Sequence, residues 1–278
     1  LLLGEADLEH FVAIGLDRLI VSLDGVAPDA GRLLHGDTSN NVLALLRGLK
    51  ELKLREAATF PEVTIEFVAT AHNLDQLPVL RRLTPELGVS HILVTNVVPY
   101  TAELADGILY EHWTTGPSLR RPSAWVPEVD LPAMDAAATA AVLRGLQPRG
   151  TILSVAGGGV AGVPPRCRFV TEGRLAVRWD GHVSPCLPLM HAHTCYFRQQ
   201  RKRIRCHHVG NINHRDLSEI WRADEYRAFR QTVRSFDFAP CLDCGGCDLR
   251  ETNEEDCYYG AFPRCGECMW AAGLVQCV

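Results

Sequence analysis

Near its end the chain carries the sequence Cys241-Leu-Asp-Cys-Gly-Gly-Cys-Asp-Leu-Arg-Glu-Thr-Asn-Glu-Glu-Asp-Cys257. Together with Cys265-Gly-Glu-Cys268 and Cys277, it places seven cysteines within 37 residues. Two residues between cysteines let both sulfurs bind one metal ion or cluster from a single tight turn. The stretch therefore predicts a metal-binding region at the carboxyl end.

The other four cysteines also lie in the later part of the chain, and the first 166 residues contain none. All eleven lie after residue 166. At roughly 150 residues per domain we expect two domains, over residues 1–156 and 157–278. Cys167 and Cys186 flank a predicted β-hairpin with a two-residue Asp180-Gly181 turn, so their sulfurs are expected to converge at its base.

Three kinds of site compete for these cysteines. Disulfides suit a secreted protein and an even count, so they are the least favoured. Zinc would use four-ligand sets, and a zinc-ribbon binding module without redox function remains an alternative. Iron–sulfur clusters take four thiolates each. The candidate ligands are Cys167, Cys186, Cys241, Cys244, Cys247, Cys257, Cys265, Cys268 and Cys277, enough for two clusters with one to spare. Cys195 and Cys206 are expected to be partly buried free thiols.

The cysteine-free part alternates between strand and helix patterns. Apolar, β-branched runs predict strands at 18–24, 63–69, 91–98 and 151–156. Helical spacing of apolar residues predicts helices over 40–54, 77–87, 132–146 and 216–235, the second of them ended by Gly88. Residues 99–131 are expected to be loop. Asn73 is expected to cap the second of these helices. This alternation predicts an α/β fold with parallel strands.

Four strands are too few to close a barrel, and the chain begins without Met. We therefore expect a partial (β/α) barrel whose N-terminal units are missing from this sequence.

Composition excludes several classes of protein. The chain is 47% apolar and 22% charged, which is typical of a globular protein. It has no apolar run long enough to span a membrane, and its formal charge of −5 gives no reason to expect a nucleic acid partner. We expect a cytoplasmic protein with neither kind of partner.

Two sets of residues resemble a known family. Ser22-Leu-Asp-Gly25, at the end of a predicted barrel strand, resembles the later half of a radical S-adenosylmethionine (SAM) enzyme. The tail resembles the SPASM extension found on many of these enzymes. The matching positions are Cys167, Gly181, Cys186, Gly210-Asn211-Ile212, Leu217 to Trp221 and Cys241-x2-Cys244.

The resemblance implies a fold, cofactors and site residues. It implies a radical SAM barrel followed by a SPASM domain with two auxiliary 4Fe–4S clusters. By resemblance, Cys167 and Cys186 share the first cluster, and Cys241 and Cys244 belong to the second. Ser22 and Asp24 would hydrogen-bond the ribose of SAM; otherwise Asp24 forms the turn after the strand and Ser22 is a core hydroxyl.

The closing cysteine run is most like that of maturases that accompany tungsten-cofactor oxidoreductases. The implied partners are a tungsten-containing oxidoreductase or its pterin cofactor, and a reductant such as ferredoxin or flavodoxin. A peptide-modifying radical SAM maturase is the alternative enzyme.

Two departures from the family limit the expected activity. No Cys-x3-Cys-x2-Cys, which holds the initiating cluster, occurs in the 278 residues. That third cluster is therefore expected in a missing N-terminal part, and this fragment alone is expected to be inactive. Leu187-Pro188 follows Cys186 where sulfatase-maturing relatives carry an acidic base, which disfavours sulfatase maturation.

Two polar stretches after Cys186 each allow two interpretations. His191 and His193 would share one face of an extended segment, either as proton donors near the first cluster or as surface histidines. A basic run includes Arg198, Arg201, Lys202, Arg203 and Arg205. It is either a solvated loop or a binding surface for an anionic substrate.

Overall fold

The computed structural model describes residues 3–26, 39–110, 128–146, 152–155, 166–197, 200–239, 241 and 247–276. The chain divides into two compact units. The first comprises Leu1–Val97, Gly107–Gly157 and Gln276–Val278, and the second comprises Val98–Asp106 and Gly158–Val275.

The helices and strands of the described residues are as follows. The helices are α1 Glu5–Ala13, α2 Ser39–Arg55, α3 Leu77–Leu87, α4 Ala102–Ala105, α5 Ala136–Leu146, α6 Arg168–Thr171, α7 Leu217–Arg222 and α8 Asp224–Ser235. The strands are β1 Arg18–Ser22, β2 Glu62–Ala69, β3 His91–Asn96, β4 Glu128–Leu131, β5 Ile152–Val155, β6 Ala176–Val177, β7 His182–Ser184, β8 His193–Phe197, β9 Gln200–Ile204 and β10 Gly210–Asn211. Short 3-10 turns cover Leu74–Gln76, Leu187–Leu189 and Asp248–Glu251.

The first unit is built on a parallel sheet whose strands follow one another in chain order, β1-β2-β3-β4-β5. Val21, Ile65, Ile92 and Val129 occupy one row across β1 to β4 and are all buried in the same core. Apolar residues of α1, α2 and α3 pack into that core. Parallel sheets occur with their faces covered by helices, so the burial of this face confirms the predicted α/β fold.

The sheet differs from the prediction in strand number, because it has five strands where four were expected. β4 lies in the stretch expected to be loop, as does α4. β4 has only two apolar residues, Val129 and Leu131, which alternate with Glu128 and Asp130, so it lacks the apolar run that predicted β5. Within the described residues no strand joins β1 to β5, so the sheet is open and a barrel is not closed.

Asn73 does not cap a helix, contrary to the sequence prediction. Its amide donates hydrogen bonds to the carbonyl oxygens of Asp24 and Val68, each at 2.9 Å. Its Oδ1 accepts from the backbone N–H of Thr70 at 2.7 Å. The side chain is buried and connects the ends of β1 and β2. The predicted stop at Gly88 is confirmed, because this residue ends α3 with φ of 66°.

The second unit contains a three-stranded sheet, β10-β7-β6, and the hairpin β8–β9. The β6–β7 hairpin was predicted, but its loop has three residues. Arg178 N–H donates to the His182 carbonyl at 2.8 Å, so Trp179, Asp180 and Gly181 form the loop. Gly181 has φ of 85°, the left-handed conformation that such three-residue loops place before the returning strand.

The helix predicted over 216–235 is two helices. Ala223 has ψ of 137°, which interrupts the helical hydrogen bonds between α7 and α8. Asp224 and Glu225 then lie in the first turn of α8, where acidic side chains stabilise a new helix start. The apolar spacing continues across this break, so periodicity alone could not reveal it.

No helix in the described ranges has both the length and the apolar character needed to cross a membrane.

Candidate metal centre

Four cysteines of the second unit come together although they are far apart in the sequence. They are Cys167, Cys186, Cys265 and Cys268. Burial raises the pKa of Cys186 well above its ordinary value, and the charges of the other three thiols raise it further. Burial likewise raises the pKa of Cys268 to about 11, with Cys167 contributing. The sequence predicted that Cys167 and Cys186 would converge, but it did not place the other two beside them.

Backbone N–H groups face the sulfurs of three of these cysteines. Cys167 precedes α6, and although burial raises its pKa, hydrogen bonds from the backbone of Val170 and Phe169 act against that rise. Cys186 precedes a 3-10 turn and receives such a bond from Leu189. Cys268 receives them from Ala271 and Trp270. Bonds of this kind favour a charged sulfur and therefore suit thiolate ligands.

The turn that carries Cys265 and Cys268 packs closely against the backbone of Ala239. Cys268 N–H donates to the Cys265 carbonyl at 3.1 Å. A Cβ at Gly266 would lie 2.1 Å from the carbonyl oxygen of Ala239, so only glycine fits there. Arg166 N–H donates to the Ala271 carbonyl at 3.1 Å, which connects this turn to the segment leading into Cys167.

A second group of cysteines lies around Cys241. Burial raises the pKa of Cys241, and nearby Glu267, Asp256 and Cys257 raise it too. Cys247 is exposed and precedes the 3-10 turn Asp248–Glu251. Cys257 is also exposed. The predicted ligands Cys244 and Cys277 lie outside the described residues.

Cys195 and Cys206 are the two cysteines outside the candidate ligand set. Cys195 is fully buried, and burial raises its pKa to about 11. Cys206 is half-buried. None of the nine described cysteines is in a disulfide.

The described residues contain no group of three or more His, Cys, Asp or Glu side chains arranged around one metal ion.

Ser22 and Asp24 lie at the carboxyl end of β1, as predicted. Ser22 is the last residue of β1 and pairs in register with Glu66. Asp24 is buried, and its Oδ1 accepts a hydrogen bond from Val68 N–H at 2.9 Å. The carboxylate of Asp24 therefore connects the ends of β1 and β2.

His191 and His193 lie at the start of β8. Nδ1 of His193 lies 2.9 Å from the carbonyl oxygen of His191. The His193 ring meets Tyr100 edge to face, with 5.4 Å between centroids. His191 is exposed and His193 is half-buried.

The basic run after His193 does not form the solvated loop considered above. Residues 201–204 belong to β9, where side chains alternate between two faces. Lys202 is buried, whereas Arg201 and Arg203 are exposed. Arg198 lies outside the described residues.

Comparison with known proteins adds three similarities. Residues 167–248 match the sequence profile of the SPASM family, described as an iron-sulfur cluster-binding domain. The chain is 27% identical over 285 aligned positions to the "Tungsten-containing aldehyde ferredoxin oxidoreductase cofactor-modifying protein" of Pyrococcus furiosus, covering 99% of this chain and 72% of that protein. It also matches the solved structure "Native anSMEcpe with bound AdoMet" with 14% identity and a TM-score of 0.47, covering 91% of this chain and 65% of that one. The family resemblance predicted from the sequence is confirmed by the first two of these matches.

Proposed function

We propose that this chain, which carries a SPASM iron–sulfur domain, belongs to a radical SAM maturase acting on the cofactor or protein of a tungsten-dependent oxidoreductase. The observation that carries the proposal is the convergence of four half-buried cysteines from three separate segments of the second unit. The printed name of the Pyrococcus furiosus relative supports the tungsten system as the target.

The four cysteines Cys167, Cys186, Cys265 and Cys268 fit an iron–sulfur cluster. Half-buried thiols with raised pKa values are neutral by themselves, and a bound cationic iron site favours their deprotonation. The backbone N–H groups near Cys167, Cys186 and Cys268 would donate to the thiolates so formed. These four residues would hold the first auxiliary cluster.

The second auxiliary cluster would be held by residues around Cys241. Its further ligands come from Cys244, Cys247, Cys257 and Cys277. When bound, such clusters supply one-electron transfer or an open iron that a substrate can ligate.

In the first unit, the strand order supports a segment of a (β/α) barrel. Strands β1 to β5 follow chain order without a reversal, whereas doubly wound sheets reverse their order at a switch point. Barrel enzymes build their sites at the carboxyl ends of the strands. Ser22 and Asp24 lie at that end of β1, and we assign them to the ribose hydroxyls of SAM. Residues 1–156 would form the barrel part and residues 157–278 the SPASM domain.

The chain itself would contribute two functions in this proposal: its cysteines would hold the clusters, and the strand ends would hold SAM. A reductant such as ferredoxin or flavodoxin would supply the electrons. The pterin cofactor of the tungsten enzyme is the proposed small-molecule substrate. A zinc-ribbon module is disfavoured by the match of residues 167–248 to an iron–sulfur cluster-binding profile.

Deletion of the gene in a host that makes a tungsten aldehyde oxidoreductase tests the proposal. We expect loss of aldehyde oxidation, restored by the full-length wild-type gene but not by a Cys186→Ala gene. A Cys206→Ala gene is the matched control and should restore activity. Unchanged aldehyde oxidation in the deletion strain would contradict the proposed target.

A further inference from the structure

A buried carboxylate lies between the two cysteines of the Cys265–Cys268 turn. Glu267 accepts hydrogen bonds from Nζ of Lys202 at 2.6 Å and from Nε of Arg250 at 2.8 Å. The side chains of Lys202, Arg250 and Glu267 are only 10%, 6% and 3% exposed. We call these three residues the charge triad.

The triad connects both cysteine groups. Glu267 is adjacent to Cys268 in the first group. Arg250 belongs to the 3-10 turn that follows Cys247. Its backbone N–H donates to the Cys247 carbonyl at 3.0 Å. Lys202 pairs with Cys195 across the β8–β9 hairpin.

The formal charges of the triad are two positive and one negative. Burying charge is unfavourable unless an opposite charge compensates it. The ammonium of Lys202 lowers the pKa of Cys241, Cys265 and Cys268, although burial has the larger and opposite effect on each. The charge of Lys202 therefore acts on thiols of both cysteine groups. Solvent and salt screen this interaction only weakly, because Lys202 is buried.

We infer that Lys202 is a positioning residue whose charge raises the reduction potential of the cluster held by Cys167, Cys186, Cys265 and Cys268. This inference rests on the proposed function. One-electron reduction would add one negative charge to such a cluster and would change no bond at Lys202. A buried ammonium stabilises that added charge, and Glu267 fixes its place beside the turn.

The test is a redox titration of the full-length, iron-loaded protein, followed by EPR with dithionite as reductant. Lys202→Met should shift the reduction equilibrium of this cluster about tenfold toward the oxidised form, a fall of about 59 mV for one electron. Lys202→Arg keeps the charge and should leave the midpoint near that of the wild type. Arg203→Met removes an exposed charge from the same strand and should also leave it unchanged. An iron-loaded Lys202→Met protein with the wild-type midpoint would overturn the inference.

A double variant covers the case in which Lys202→Met fails to retain iron. Lys202→Met with Glu267→Gln keeps the summed charge of the wild type. Return of the iron, with a midpoint near that of the wild type, would support a role through charge. Loss of iron from both variants would mean that Lys202 acts through packing, and would overturn the inference. Iron-free wild-type protein would instead refute the proposed function, and the inference with it.

Discussion

Cys167 and Cys265 pack against one small apolar cluster, formed by Val170, Val233 and Phe238. The cluster joins α6, α8 and the segment after α8, so it fixes both cysteines from different parts of the fold. Apolar surroundings disfavour charged sulfur, and the local N–H bonds favour it. A metal site that binds through thiolates uses both features. The apolar surroundings shield the sulfurs from water, and the N–H bonds favour their charged form.

Loss of one cysteine from this group should remove one cluster. We expect Cys265→Ala to lower the iron content of anaerobically purified protein by about four irons per chain, because a 4Fe–4S cluster needs four protein ligands. Iron and acid-labile sulfide analysis measures the change. Cys206→Ala is the control and should keep the wild-type content. Equal iron content in the wild type and Cys265→Ala would remove Cys265 from the ligand set.

Gly181 should be required by both its conformation and its surroundings. An added Cβ would lie 2.4 Å from Nδ2 of Asn213 and 2.7 Å from Oδ1 of Asn211, and both amides are held by the Asp180 carbonyl. We expect Gly181→Ala to destabilise the protein by about 2–4 kcal/mol, the sum of backbone strain and disturbed hydrogen bonds.

Gly173 is the matched control for that substitution. It has φ of 70°, but its added Cβ would meet nothing closer than 3.9 Å. Gly173→Ala should cost only the strain, about 1–2 kcal/mol. Urea denaturation compares the two variants. Equal losses would show that crowding at the hairpin loop contributes nothing.

Asn73 should stabilise the strand ends that carry the proposed SAM residues. Asn73→Ala removes its hydrogen bonds to the buried backbone of Asp24, Val68 and Thr70. We expect a loss of about 2–4 kcal/mol and faster amide exchange at Thr70, measured by hydrogen exchange with mass spectrometry. His72→Ala changes an exposed neighbour and should leave exchange as in the wild type. Unaltered exchange at Thr70 in Asn73→Ala would contradict the role given to Asn73.

His207 should make stability depend on pH. Burial lowers its pKa, with His208 and Arg205 adding to the effect. The folded protein therefore resists protonation more than the unfolded chain does. This contribution to stability is present above the unfolded pKa of about 6.5 and is lost as pH falls toward the folded value.

The comparison uses His207→Phe, which keeps a ring beside Phe229 and Phe262. Between about pH 7.5 and about pH 5.5 the wild type should lose more unfolding free energy than this variant does. His214→Asn, at an exposed position, should follow the wild type. The same pH dependence in wild type and His207→Phe would contradict the effect of burial on His207.

The sequence predicted the parts of the fold that have long, regular patterns. Helix α2 and strands β2 and β3 carry clear apolar periodicity, and Gly88 marks the end of α3. Strand β4 was missed because its two apolar residues alternate with Glu128 and Asp130 and form no apolar run. The break at Ala223 was missed because the apolar spacing continues across it.

Tertiary contacts account for what the sequence could not predict in the candidate site. The CxxC spacing indicated that Cys265 and Cys268 bind metal, but only the folded chain brings them to Cys167 and Cys186. Lys202 lies among basic residues that look alike in the sequence. Its burial follows from alternation along β9 and from the position of Glu267, a residue distant in the chain.

Mössbauer spectroscopy of the full-length protein, purified without oxygen from cells grown on ⁵⁷Fe, tests the central claim most directly. The account predicts the signals of 4Fe–4S clusters, with about eight irons assigned to the two auxiliary clusters of this chain and about four of them lost in Cys265→Ala. Protein that contains stoichiometric zinc and gives no iron signal would contradict it.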